Sequence, residues 1–370
     1  MRRLNIPLAG SLSIRLERRP ELSRARSALV TLLFLAMAFL LSGAIFQLLG
    51  YGALEIYSAF GRSVLSPTMV EEIFRKSTPI ILAAIGLSYS YRLNFWNIGA
   101  EGQLYMGMIA ATGVVVLNYG GILPGGPLLL LLAVAASALA GGLWSLIPAA
   151  LKIRVGANEI ITTLMLNYTA ILLADYLVHG PWKDPTGYGF AQTIPFPPEA
   201  KLAPPGTPEW AVFLAVSAAC ALTTLLVFNY TVFGFESKVV GLNPYASRYA
   251  GIRTGSVVLK GVLISGMLAG LAGLVVAGNL IGRLRPGASP GYGYHAIIAA
   301  LLGGLNPITV SFSSLLFGML LTSGDVLQAS IQMPRAGVKI IIAMIFITTI
   351  LAEFWKRHRL RIARRGGGGG

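Results

Sequence analysis

The 370-residue sequence is 55% hydrophobic and only 12% charged, with a mean hydropathy of +0.71. Soluble domains carry about 25% charged residues, so the composition excludes an ordinary soluble protein and points to a polytopic membrane protein. The net charge of +15 would suggest a nucleic-acid partner in a soluble chain, but its placement argues against one.

Arg2, Arg3, Arg15, Arg18, Arg19, Arg24 and Arg26 precede the first apolar run, and Lys356, Arg357, Arg359, Arg361, Arg364 and Arg365 follow the last. Basic clusters stay on the cytoplasmic side, where anionic lipid attracts them. Both ends are therefore expected in the cytoplasm, as a basic tail over 1–28 and a basic, Gly-ended tail over 356–370, and the crossings between them should be even in number. The run from Leu29 to Leu49 exceeds a signal-peptide core and is expected to anchor the chain as its first span. Cys220, the only cysteine, lies in an apolar run and is expected to be a small buried hydrophobe.

The membrane domain is expected over 29–355, as an all-α polytopic helical bundle of about ten spans. After an external segment at 50–69, the second span covers 70–91, with Glu71, Glu72, Arg75 and Lys76 at its interfacial start and Pro79 within it. The stretch Arg92–Gly102, RLNFWNIGAEG, then sets Asn94, Asn97 and Glu101 directly before the third span. Such a polar segment at membrane depth must be surrounded by protein or a water-filled path, so it either re-enters the membrane or forms a short cytoplasmic turn anchored by Trp96. The fourth span covers 128–150. The fifth opens at Asn158, an N-cap, and Glu159, a first-turn acid, and carries Asn167 near its middle. Residues 180–209 form a Pro-rich external loop, a landing surface for an external partner or a passive connection.

Beyond the sixth span at 210–230, residues 233–255 form a polar cytoplasmic segment lodged between two long apolar runs. It reads as a turn and then a short amphipathic helix, opened by Asn243-Pro244 and closed by Gly251. Too short to span, that helix needs something outside the membrane to hold it. In the seventh span, Gly266, Gly270 and Gly273 share one smooth face suited to close helix packing. Residues 295–322 read as short or broken helices, either two tilted spans or half-helices meeting inside the membrane. Residues 324–335 are expected outside, and 337–355 form the tenth span.

The polar residues at membrane depth include Asn94, Asn97, Glu101, Asn118, Asn167, Asp325 and Gln328. Amides with aromatic neighbours such as Phe95, Trp96 and Tyr168 suit a neutral, hydrogen-bonding solute better than an inorganic ion. No catalytic or metal-binding motif is present: His179, His295 and His358 are scattered, and there is no GxSxG elbow and no phosphate loop. Uphill transport therefore needs an ion gradient or a second polypeptide, and the docking helix favours the second.

Four stretches resemble one known family: LNFWNIGAEGQL (Leu93–Leu104), GANEIITTLMLNY (Gly156–Tyr168), VGLNPYASRYAGI (Val240–Ile252) and SPGYGYHAIIAALLGGLNP (Ser289–Pro307). The chain is similar to the permease subunits of ABC importers of the branched-chain amino acid and simple-sugar class. Within that class it looks most like nucleoside-type permeases that work with basic-membrane-lipoprotein binding proteins. The resemblance implies nucleoside import across a bacterial cytoplasmic membrane, with sugar or branched-chain amino acid import of the same architecture as the alternative; a proton-coupled secondary carrier is the competing reading from the residues, and the less favoured one. It implies a second permease, an extracytoplasmic substrate-binding lipoprotein, and a cytosolic ATP-binding subunit that carries the ATP and Mg, so that this chain binds no cofactor. Carried onto this sequence, Gly241, Leu242, Asn243, Pro244, Ala246, Ala250 and Gly251 would form the coupling element. Asn94, Asn97, Glu101, Gln103, Asn158, Glu159 and Asn167 would line or gate the translocation path.

Overall fold

The computed structural model of the chain describes residues 5–7, 12–18, 23–331, 333–334 and 336–364. In chain order the elements are β1 (Asn5–Pro7), β2 (Leu12–Arg18), α1 (Arg24–Leu48), α2 (Ala53–Leu65), α3 (Pro67–Arg92), α4 (Ala100–Tyr119), α5 (Pro127–Val155) and α6 (Glu159–His179). They continue with α7 (Glu209–Tyr230), α8 (Val232–Leu242), α9 (Pro244–Tyr249), α10 (Thr254–Leu274) with a π-helical end over Val275–Leu280, α11 (Tyr292–Leu302), α12 (Pro307–Ile331), α13 (Ala336–Arg357) and β3 (His358–Arg364).

Among the described residues, eight helices are long and apolar enough to cross a membrane: α1, α4, α5, α6, α7, α10, α12 and α13. The 26-residue α3 matches them in length but carries Glu71, Glu72, Arg75 and Lys76 in its first half. The 11-residue α11 rises only about 16 Å. The membrane part is thus an all-α helical bundle, and only the first half of 295–322 is short.

Three expectations are corrected and two elements are added. Residues 324–331 continue α12, because Asp325 pairs with Lys76 of α3 and so sits in a helix with its charge answered. Residues 232–242 form helix α8 where a turn was expected, and the segment before α3 contains α2. The two tails supply a small antiparallel sheet in the order β1-β2-β3, with Ile14 opposite Ile362 and Leu16 opposite Leu360. Cys220 is partly exposed. Arg2, Arg3, Arg19, Arg365 and the glycines at 366–370 lie outside the described residues.

The chain divides into two compact units, one of Met1–Ala59 with Leu327–Gly370 and one of Phe60–Val326. In the first, α1 packs along α13, and the Tyr57 hydroxyl donates to the Phe39 carbonyl. In the second, α10 lies against α3, α4 and α5. Missing side chains make this contact close. A Cβ at Gly266 would strike the Gly141 carbonyl, one at Gly270 the Ser137 carbonyl, and one at Gly273 the Leu104 carbonyl.

Local signals set the helix ends. Gly156 adopts the left-handed conformation (φ 69°) that stops α5, where Lys152 and Arg154 complement the helix dipole. The Asn158 side chain then accepts the Ile160 N–H at 2.9 Å to open α6.

Candidate functional site

At Leu93 the chain leaves α3 and turns back into the protein. Asn94 takes the left-handed conformation (φ 54°), and Phe95 and Asn97 are buried. The Tyr91 hydroxyl donates to the Asn97 carbonyl at 3.0 Å and holds the returning segment. The helix that follows, α4, therefore begins inside the protein.

Its first turn is a polar knot. The side-chain amides of Asn97 and Gln103 pair through two hydrogen bonds of 3.1 Å, and Asn97 Nδ2 also donates to Ser265 of α10 at 3.3 Å. From α6, Asn167 Oδ1 accepts the Gly102 N–H at 2.7 Å, while its Nδ2 donates to the Ile98 carbonyl at 2.9 Å and to the Tyr294 hydroxyl at 3.4 Å. The Glu101 carboxylate accepts the Gly293 N–H at 2.6 Å, in the first turn of α11, and the Ser289 hydroxyl completes its shell. Two helix N-termini, those of α4 and α11, thus converge on one buried carboxylate, which suits their positive ends. Gly102 and Gly293 lack the Cβ that would collide with Asn167 and Glu101 at these crossings.

Asn97, Glu101, Gln103 and Asn167 are therefore gathered in one buried cluster; Asn94, Asn158 and Glu159 are not. Asn94 and Asn158 are exposed, and Glu159 is partly exposed. Lys152 of α5 pairs with Glu159, donates to the Asn94 carbonyl at 3.5 Å and lies over the Phe95 ring. Asn94 Nδ2 donates to the Gly241 carbonyl at 2.6 Å, tying the re-entrant segment to the last turn of α8. Gly241 is free of a Cβ where the Arg92 carbonyl approaches.

Directly after that joint comes α9. Asn243 caps it by accepting the Tyr245 and Ala246 N–H groups at 3.0 and 3.1 Å, and Pro244 occupies its first position. Gly251 (φ 78°) turns the chain toward α10. Val240, Leu93 and Val257 form a small core beneath, with Phe233 and Ile252 against it. Above it, Leu242, Tyr245 and Tyr249 are exposed, the last at 95%. Ser247 faces inward and is fully buried.

At the opposite end of α10, the Pro-rich loop is fastened to the π-helical turn. Asn279 accepts the Leu202 N–H at 3.1 Å and donates to the Ala203 carbonyl at 3.0 Å, and the Phe196 N–H reaches the Gly282 carbonyl at 2.8 Å. Within the loop, the Thr186 hydroxyl and N–H both donate to Asp184 and hold its carboxyl below the usual range. Tyr294, Ser265, Ser289 and Gly293 escaped the sequence reading as site residues, although three of them lie in or beside the fourth quoted motif. Among the described residues, no group of three or more His, Cys, Asp or Glu is placed to hold a metal.

Residues 69–350 match the family described as the branched-chain amino acid transport system, permease component. This chain belongs to that family of ABC-importer permeases. The permease is 37% identical to a glucose ABC transporter permease protein of Haloferax volcanii, over 83% of each chain. It is 32% identical to a guanosine ABC transporter permease protein of Bacillus subtilis, over 83% of this chain and 89% of that one. With a nucleoside ABC transporter permease protein of Lactococcus lactis it shares 28% identity, over 89% of this chain and 94% of the relative. No solved structure gives a significant match. The permease is thus a non-catalytic, multi-pass membrane subunit, and its relatives, one of them archaeal, are named for sugar and nucleoside solutes alike.

Proposed function

We propose that the permease imports a neutral, hydroxyl-rich solute, with a sugar as the first reading. The observation that carries the chemistry is the buried cluster. Its hydrogen-bonding side chains are neutral amides and hydroxyls, and its one carboxylate, Glu101, is already bonded to Gly293 and Ser289. An amino acid would need partners for two opposite charges at that depth, which is costly in a membrane interior. The glucose permease protein of Haloferax volcanii, at 37% identity, favours a sugar. A nucleoside is the second reading, favoured by the guanosine and nucleoside permease proteins and sharing the ribose hydroxyls.

In this reading the exposed face of α9, with Leu242, Tyr245 and Tyr249, receives a cytosolic ATP-binding subunit that carries the ATP and Mg. Gly241, Asn243, Pro244, Ala246, Ala250 and Gly251 shape the element. Motion of α8 reaches the re-entrant segment through the Asn94–Gly241 hydrogen bond and from there the Asn97–Gln103 pair. The close packing at Gly266, Gly270 and Gly273 makes α10 the rigid member between the α9 end and the Pro-rich loop, where an extracytoplasmic substrate-binding lipoprotein docks. A second permease completes the path, and both termini lie in the cytoplasm, as their basic residues require.

A thermal-shift screen of the cognate binding protein tests the solute. Stabilisation by hexoses or pentoses supports the first reading, and stabilisation by guanosine or other nucleosides the second. A response to branched-chain amino acids alone would overturn both.

A further inference from the structure

The outward faces of the helices differ in a way that locates the solute. On α5 the exposed large side chains are Leu131, Leu139, Leu143 and Ile147, and on α7 they are aliphatic at mid-helix, with Trp210 and Tyr230 only at the ends. That is the pattern of a lipid-facing surface, with aromatic residues at the interfaces. On α6 the same aliphatic stripe, exposed at Ile161, Met165 and Leu172, is interrupted at one point. Tyr168 is the tenth of 21 residues, about 15 Å from either end, and it is 55% exposed, with exposed Thr169 beside it.

Thr169 returns its hydroxyl to the Met165 carbonyl, but the phenol of Tyr168 has no acceptor among the described residues. A hydroxyl left without a hydrogen bond in hydrocarbon costs about 4–8 kcal/mol. At Tyr168 the surface therefore fits water or a polar solute better than lipid. Behind it, Asn167 donates to the Tyr294 hydroxyl of α11, and Tyr294 is itself partly exposed. Two phenols from two helices thus stand at mid-depth, in front of the buried amide cluster.

We propose that Tyr168 and Tyr294, backed by Asn167, form a solute-contact station in a water-filled path, where a neutral hydroxyl-rich solute hydrogen-bonds the phenols and lies against their rings. A tyrosine suits this position because it offers an apolar ring and a polar tip together. The station deepens the proposed import function and rests on that reading for its solute, while its exposure to water can be tested without knowing the solute.

The test uses the complete transporter in proteoliposomes, with Cys220→Ser removing the native thiol. Tyr168→Cys is compared with Leu222→Cys on the aliphatic face of α7, using a charged, membrane-impermeant methanethiosulfonate reagent. Because a thiol reacts as its thiolate and needs water, Tyr168→Cys should label about tenfold faster than Leu222→Cys, either without nucleotide or in the vanadate-trapped state. Glucose or guanosine, whichever the wild type transports, should slow that labelling. Tyr168→Phe should raise the half-saturating solute concentration about five- to tenfold, the loss of one hydrogen bond.

Labelling of Tyr168→Cys as slow as that of Leu222→Cys in both states would overturn the proposal, because lipid or a second permease would then cover the face. Fast labelling that a transported solute fails to slow would overturn the contact. If neither solute is taken up by the wild type, the sugar and nucleoside readings fail, and the labelling rates still decide whether the station faces water.

Discussion

Asn167 has its whole side-chain amide engaged, with three partners on two other segments, at the middle of a membrane-spanning helix. Replacing it with leucine keeps the branched heavy-atom shape but strands the Gly102 N–H and the Ile98 carbonyl, each costing about 1–3 kcal/mol. The purified permease should therefore melt several degrees lower, and an unchanged melting profile would contradict the arrangement. Gly270→Ala should destabilise through overpacking against Ser137, by about 1–3 kcal/mol. Gly255→Ala, whose Cβ would meet only Ile153 at 3.7 Å, should have little effect in the same assay. Asn167 and the spaced glycines were legible beforehand because a polar or missing side chain in an apolar run needs a reason. Tyr294, Ser265 and Ser289 were not, because their partners come from distant segments and only the folded chain brings them together.

At the scale of elements, a six-residue helix cannot hold itself together by backbone bonding, so α9 depends on its cap and on whatever covers it. Replacing Asn243 and Pro244 together by alanine removes a cap contribution of about 0.5–2 kcal/mol. ATP-dependent uptake should fall about tenfold, with weaker co-purification of the ATPase; retention of both would sink the docking role of α9. Asn94→Gly removes the bond to Gly241 while tolerating the left-handed backbone and leaving α9 intact. It should therefore reduce the solute carried per ATP hydrolysed without loosening ATPase binding, and an unchanged ratio would remove Asn94 from the linkage. The long spans and the α9 cap were readable from apolar runs and Asn-Pro spacing. The far end of α12 was not, since Gly324, Asp325 and Gln328 resemble a loop until Lys76 is seen beside Asp325. The tail strands carry period-two alternation in LSIRLER and HRLRIAR, but their arginines drew attention to charge instead.

At the scale of the whole molecule, membrane class and transporter family were legible in composition and four motifs, because both depend on long stretches of chain. The solute was not, because it is chosen by a few side chains from different helices, and relatives with the same motifs are named for glucose, guanosine and nucleosides. The proposed function divides the labour: this chain would supply the path, and a separate subunit would supply the energy through α9. Uptake of labelled glucose and guanosine into proteoliposomes tests that division most directly, comparing the complete transporter with and without ATP and with the permease alone. Accumulation of at least one solute that requires both ATP and the ATPase is the expected result. Uptake by the permease alone under a pH gradient, or by the complex at a rate indifferent to ATP, would contradict it.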